Sequence, residues 1–209
     1  MATVPRDRRE FLPPVDLSPV PEGWLDGEVA IDLGCGAGTF LAGEAARYPD
    51  RHFIGVERLL DRYRRTHRRV MHLPAKNAVV VRADTLSFLE VLPAASVAHL
   101  HLLFPDPWPK RRHHHRRMVQ QPFLKEAHRV LRPDGWLDLV TDHAEYFLWM
   151  ERELAKFSAF ERQQWPQDPG RPRTDFEQRF LARGQSIHTM RMKKLSAMMG
   201  PLIHTAHLL

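Results

Sequence analysis

Asp32-Leu33-Gly34-Cys35-Gly36-Ala37-Gly38-Thr39 joins a short apolar run, Glu28 to Leu33, to a helical pattern over Thr39 to Tyr48. A strand, a glycine turn and a helix in that order open a βαβ unit. The glycines let the chain turn tightly, and they let a ligand lie against bare backbone at a helix N-terminus. The spacing is G-x-G-x-G; Thr39 stands where a dinucleotide fingerprint has its third glycine. Alone, the turn is compatible with a ligand site and with a plain glycine loop. Glu57 ends the next apolar run, His52 to Glu57, at the place where an acid in such folds accepts hydrogen bonds from ribose hydroxyls. Asp84 follows the third run, Ala78 to Ala83, placed to meet the edge of an adenine. With Asp32, these acids at three successive strand ends suit a nucleoside. Few basic groups lie inside this pocket, so an uncharged or cationic nucleoside such as S-adenosylmethionine fits it better than NAD or ATP.

Outward from this unit the alternation continues. Helical patterns cover Leu59 to Leu73, Thr85 to Leu92, Gln121 to Leu131 and roughly 144 to 157, the third stopped by Arg132-Pro133-Asp134-Gly135. Apolar runs at Val97 to Leu103 and Trp136 to Thr141 supply a fourth and a fifth strand. Such alternation means an α/β fold, a parallel sheet with helices on both faces. Phe160 to Trp165 and Ile187 to Lys193 read as two last strands, antiparallel, separated by a long polar segment. Segments of that length inside a domain are functional or mobile.

The fourth strand leads into Phe104-Pro105-Asp106-Pro107-Trp108-Pro109-Lys110. Pro105 and Pro107 fix their own φ and bias the preceding residues to extended geometry, so Asp106 is held at a stiff strand exit. Open α/β sheets bind ligands at the carboxyl ends of their strands. Next comes Lys110-Arg111-Arg112-His113-His114-His115-Arg116-Arg117, with five permanent charges in eight residues. Such charges repel one another without an anionic partner, which points to nucleic acid rather than a solvated loop. The three consecutive histidines lack helical metal-ligand spacing, so no metal site is expected there. Arg58, Arg62, Arg65 and Arg69 share one helix face, as a phosphate track or a solvated surface; Leu59, Tyr63, Thr66 and Val70 form the neighbouring stripe that packs on the sheet. Trp108 is placed either to stack on a base or to pack in the core.

A chain of 209 residues with 27% charged residues can bury one full core, and one domain is the economical reading. The lone Cys35 excludes an internal disulfide framework and fits a reducing, cytoplasmic setting with a local packing role. No apolar run reaches membrane-spanning length. Residues 1–27 form a Pro-rich arm, 28–194 the domain, and 195–209 a tail without an evident role.

Asp32-Leu33-Gly34-Cys35-Gly36 with Gly55-Val56-Glu57 resembles the class I S-adenosylmethionine-dependent methyltransferase pattern. The run from Phe104 to His113, then Arg116-Arg117, resembles the signature of the bacterial tRNA (guanine-N7-)-methyltransferase family. Thr141-Asp142 and Thr174-Asp175-Phe176-Glu177, before Phe180 and Gly184, match it as well. The resemblance covers nearly everything from residue 28 to 194. It implies a Rossmann-like fold with a mostly parallel seven-stranded sheet, and methyl transfer to N7 of guanine 46 in the tRNA variable loop. It places Asp32, Gly34, Gly36, Glu57, Asp84 and Asp106 around the cofactor, with Asp106 also catalytic. Lys110, Asp142, Thr174, Asp175, Phe176 and Glu177 would contact the substrate. The family often has glutamate at the position of Asp32, and its Arg-rich N-terminal segment is here a shorter Pro-rich arm. The chemistry agrees. Guanine N7 carries an in-plane lone pair and no proton, so catalysis rests on in-line positioning rather than on a general base. The rival readings are a methyltransferase of the same fold with another substrate, and a non-catalytic RNA-binding relative.

Overall fold

A computed structural model of the chain describes residues 14–195. Residues 1–13 of the expected arm, and all of the expected tail but Leu195, lie outside the described residues. The sheet is built outward from β1 (Val29–Leu33). On one side it pairs in parallel with β2 (His52–Val56), which pairs with β3 (Ala78–Val81); on the other it pairs in parallel with β4 (Val97–Leu103). β5 (Leu131–Thr141) continues in parallel beyond β4. β7 (His188–Lys194) and β6 (Phe160–Gln163) close that edge antiparallel. The order β3-β2-β1-β4-β5-β7-β6 is the seven-stranded, mostly parallel sheet expected from the sequence. The chain moves one way from β1 to β3 and the other way from β4 onward. The β1/β4 boundary is therefore the switch point, with a crevice beyond its carboxyl ends.

The strand registers give the two faces opposite characters. Rows Ile54–Ile31–Leu100–Leu137–Met192 and Val56–Leu33–Leu102–Leu139–Met190 run across one face. They belong to the main core, together with Phe88 and Leu89 of α3 (Thr85–Val91), Phe123 and Leu124 of α4 (Gln121–Val130) and Tyr146 and Met150 of α5 (Ala144–Ala155). The opposite face carries Gly55–Asp32–His101–Asp138–Arg191 in register. α1 (Thr39–Arg47) and α2 (Leu60–Met71) cover the β1–β3 part of that face through Leu41, Ala45 and Val70. Asp138 is the hub of the polar row. Arg191 donates to both its oxygens at 2.7 and 2.6 Å, His99 Nε2 lies 2.9 Å away, and His101 Nδ1 lies 3.5 Å away. Burial alone would raise the Asp138 pKa, but Arg191 and the two histidines hold it well below the usual carboxylate range. Burial and His99 push His101 down to about 4, so it is neutral at physiological pH.

Several expectations need correction. The fourth strand is not an apolar run but an alternation, because His99 and His101 face the polar side. Arg132 to Gly135 does end α4, yet it lies inside β5 rather than between helix and strand. Leu131 pairs with Val97, and a register shift then absorbs the turn, with Asp134 at φ 62°. The long polar segment contains a helix, α6 (Asp175–Ala182), capped by Thr174, whose Oγ1 accepts from Glu177 N at 3.0 Å. Thr66 and Val70 of α2 are buried, but Leu59 is the exposed residue that precedes the helix, so the packing stripe is narrower than expected. Residues 14–27 wrap onto the domain. Val15, Leu17 and Val20 pack on the main core, and the buried Trp24 stacks on His52 at 4.4 Å.

Because Asp138 is buried and Arg191 is its cationic partner, removing the partner leaves an uncompensated charge. Arg191→Met is expected to destabilise the fold by about 3–5 kcal/mol in urea unfolding. Adding Asp138→Asn should recover part of the loss; equal midpoints for wild type and Arg191→Met would contradict the account.

Candidate active site

The strand order sets the order of the acids. Reading across the carboxyl ends from β3 to β5 gives Asp84, Glu57, Asp32 with the glycine turn, the Asp106 loop, and Asp142. Adjacent strands lie about 4.8 Å apart, so this row spans about 19 Å. These five acids stand at the carboxyl ends of neighbouring strands.

The glycine turn supplies a cradle. Gly34 sits at φ 76°, a left-handed conformation, and a Cβ built on it would meet nothing within 4 Å. Open space against bare backbone is what an enclosed nucleoside needs. Gly36 donates its N–H to Glu57 Oε2 at 3.1 Å, and Leu59 N–H reaches Oε1 at 2.7 Å. Each carboxylate oxygen keeps a further lone-pair direction for a ribose hydroxyl. Thr66 Oγ1 donates to the Gly36 carbonyl at 2.9 Å, tying the turn to α2. Asp84 caps α3, its Oδ1 accepting from Leu86 N at 3.1 Å and Ser87 N at 3.4 Å. It therefore has a local structural role at the place expected for an adenine contact.

Asp32 is 4% exposed, and its carboxyl is pushed up to about 7 by burial first, then by Glu57 and Glu44. Glu44, on α1, is itself raised by burial. Carboxyls crowded in this way fit a ligand bearing positive charge, as the ammonium and sulfonium of S-adenosylmethionine do.

Asp106, by contrast, is exposed. It sits between Phe104 at φ 55° and Trp108 at φ 44°, two left-handed non-glycine residues that only a well-held loop tolerates. Trp108 is half-buried, edge-on to His113 at 5.8 Å and beneath Arg116 at 5.0 Å. It packs on the basic segment, not in the core. That segment is a 3-10 helix, Arg111–Arg116, with Arg111, Arg112 and Arg116 exposed. Lys110 is exposed at its start. Arg117 departs from the expectation of a phosphate contact: it is 1% exposed, turned inward onto α5.

The segment Thr174 to Glu177 is tied to the start of α1. Thr39 Oγ1 at the start of α1 donates to Asp175 Oδ1 at 2.6 Å, and Arg69 of α2 donates to the same hydroxyl. Phe180 packs on Phe104 at 5.6 Å, and Phe176, 37% exposed, follows Phe180 at 6.1 Å. Glu177 is buried and paired with Arg171, and its Oε2 has no hydrogen-bond partner. Within that segment Thr174 is a cap, Asp175 a tie, Phe176 a surface ring and Glu177 a buried acceptor. Of the expected arginine stripe, Arg62, Arg65 and Arg69 lie on α2 and are exposed, whereas Arg58 precedes the helix and is half-buried.

Sequence reasoning missed Glu44, Arg191 and the inward turn of Arg117. Only the H-x-H alternation at His99 and His101 hinted at the polar face. Three metal-type ligand atoms, from His99, His101 and Asp138, lie within 4.8 Å of one another. Arg191 already holds both Asp138 oxygens, which makes this a hydrogen-bonded cluster rather than an open cation site. No helix among the described residues is long and apolar enough to cross a membrane.

Open sheets of this order, with a nucleoside cradle at the switch point, define the Rossmann-like class I methyltransferases. A family model described as "Putative methyltransferase" matches residues 26–190. The 16S rRNA (adenine(1408)-N(1))-methyltransferase of Catenulisporales acidiphilia shares the fold at TM-score 0.58 and 16% identity, over 88% of this chain and 94% of that one. The antibiotic-resistance methyltransferase Kmr does so at TM-score 0.56 and 24% identity, over 84% and 91%. The chain is 33% identical over 186 residues to the tRNA (guanine-N(7)-)-methyltransferase of Treponema pallidum strain Nichols, covering 85% of this chain and 74% of that relative. It is 38% identical over 174 residues to that of Halorhodospira halophila, covering 77% and 72%. The chain belongs to the tRNA (guanine-N(7)-)-methyltransferase family.

Asp32 gives this site a pH signature. From its ordinary value of 3.8 up to about 7, the folded carboxyl keeps a proton that the unfolded chain has lost. Its contribution to stability therefore falls as pH rises through that window. A bound cation favours the ionised form, so binding below pH 7 must expel a proton. Calorimetry is expected to show S-adenosylmethionine affinity rising roughly tenfold between about pH 5.5 and 7, with proton release. Asp32→Asn should bind more weakly and without that dependence. A flat wild-type profile would contradict the assignment.

Proposed function

We propose that this chain transfers the methyl group of S-adenosylmethionine to N7 of a guanine in tRNA, at position 46 of the variable loop as the family resemblance implies. The observation that carries the reading is the placement of Asp106. It is exposed, at a strand end beside the nucleoside cradle, and directly followed by a helix presenting Arg111, Arg112 and Arg116 to solvent. A site built for a small substrate has no use for that surface.

The roles of the chain's residues follow from their chemistry. Gly34, Gly36, Glu57 and Asp84 hold the nucleoside, while Asp32 holds the positive end of the cofactor. When bound, S-adenosylmethionine supplies an electrophilic methyl on sulfur. Asp106 accepts hydrogen bonds from the guanine amide and amino groups or from the ammonium, and so keeps acceptor and donor in register without moving a proton. Asp142 and the unpartnered Glu177 Oε2 offer further acceptors to the base. Trp108 and Phe176 are rings on which a base taken out of its stack can rest, and Lys110 grips phosphate. The transferase unit is residues 28–194, working in the cytoplasm where its substrate is.

The buried Arg117 is not part of the phosphate track; Arg111, Arg112 and Arg116 are. Replacing those three with Gln is expected to weaken tRNA binding and to make the slope of log affinity against log salt shallower by about 2–3. Cofactor affinity should be unchanged. The check is a salt titration of tRNA binding, run beside tritiated-methyl incorporation into tRNA by the wild type. Parallel slopes with equal affinities would remove the nucleic-acid role from this helix and favour another substrate. Binding without incorporation would favour a non-catalytic relative.

A further inference from the structure

Arg117 is the largest fully buried side chain among the described residues, and a buried guanidinium needs a reason. Its ring neighbours, Tyr146 at 5.0 Å and Trp149 at 4.9 Å, would pack as well against an apolar side chain. Glu145, which takes both terminal nitrogens, is half exposed and could keep its charge in water. What only a guanidinium supplies here is a donor on a third nitrogen, pointing away from that pair. Nε–H is given to the carbonyl of Pro107 at 2.9 Å, inside the loop that holds Asp106.

That loop is short of means to hold itself. Pro105, Pro107 and Pro109 have no N–H to donate, so the segment makes few backbone hydrogen bonds of its own. It also stores strain at Phe104 and Trp108, on either side of Asp106. Its first end is held, since Phe104 N donates to Val140 O at 2.8 Å. The middle is held by Arg117, which reaches it from the far side of the basic helix. Arg117 is itself located by α5, whose Trp149 Nε1 donates to Val119 O at 2.9 Å while Tyr146 Oη accepts from Val119 N at 3.2 Å.

We propose that Arg117 is a positioning residue: it pins the Pro107 carbonyl to α5 and thereby sets where Asp106 stands over the reacting guanine. The proposal rests on the functional reading above. It separates the two members of the Arg116-Arg117 pair, the first facing solvent and RNA, the second facing the loop.

The test uses the full chain with Arg117→Lys and Arg117→Ala. Lysine keeps the charge but cannot serve Glu145 and Pro107 together. The folded Lys variant is expected to lose about tenfold to a hundredfold in kcat. Its tRNA KM and cofactor affinity should stay within about twofold, since binding lies elsewhere. Amide exchange across residues 104–116 should accelerate, while β1 and α1 remain protected. In Arg117→Ala, added ethylguanidinium should restore part of the turnover, and ethylammonium should not. Wild-type kcat and protection in a folded Lys variant would overturn the proposal. So would an effect confined to tRNA KM, which would make Arg117 a binding residue. Failure of both variants to fold would overturn it too, leaving Arg117 a stability residue. Exchange is read without substrate, so a wild type that transfers no methyl refutes the functional reading and is distinguishable from failure of the anchor.

Discussion

The pairing of β1 with β4 is the constraint on which the site depends. Because the chain reverses its direction of travel across the sheet there, the glycine turn after β1 and the proline-bound loop after β4 leave neighbouring strands side by side. A register of Asp32 against His101 then sets which residues share a face. One face became a continuous apolar core, and the other a polar row ending at the Asp138–Arg191 pair. His99 and His101 satisfy Asp138 from one side while Arg191 neutralises it from the other, so the carboxylate can be buried with its charge compensated.

The site divides electrostatically along the same boundary. On the β1–β3 side, Asp32, Glu44 and Glu57 crowd negative charge around an open glycine cradle, and burial raises the Asp32 carboxyl until it needs a cation or a proton. On the β4–β5 side, an exposed carboxylate adjoins exposed arginines. A cationic nucleoside suits the first half and a polyanion with a nucleophilic base suits the second. Asp106 stands where they meet. α6 joins the two halves, tied to α1 through Thr39 and Asp175 and to the loop through Phe180 and Phe104.

Most of this was legible in the sequence where one local signal dominates. The strands β1 to β5 followed from apolar runs, the turn from Gly34, Gly36 and Gly38, and the exposed Asp106 from its flanking prolines. What escaped depended on contacts distant in sequence. Arg117 looks like its neighbour Arg116, and only the packing of Tyr146 and Trp149 turns it inward. His99 and His101 read as part of an apolar run because their partner Asp138 is 39 residues from His99. α6 was missed although Thr174 and Glu177 form a capping-box pattern, with Phe176 and Phe180 one turn apart; the Pro- and Gly-rich approach to it masked the signal.

We propose that methyl transfer turns on Asp106, which would position a guanine so that N7 takes the methyl group. Mass spectrometry of nucleosides from tRNA incubated with the chain and S-adenosylmethionine tests this most directly, run for wild type and for Asp106→Asn. N7-methylguanosine should accumulate with the wild type and form at least about a hundredfold more slowly with the folded variant. A different methylated nucleoside, or a variant as fast as the wild type, would contradict it.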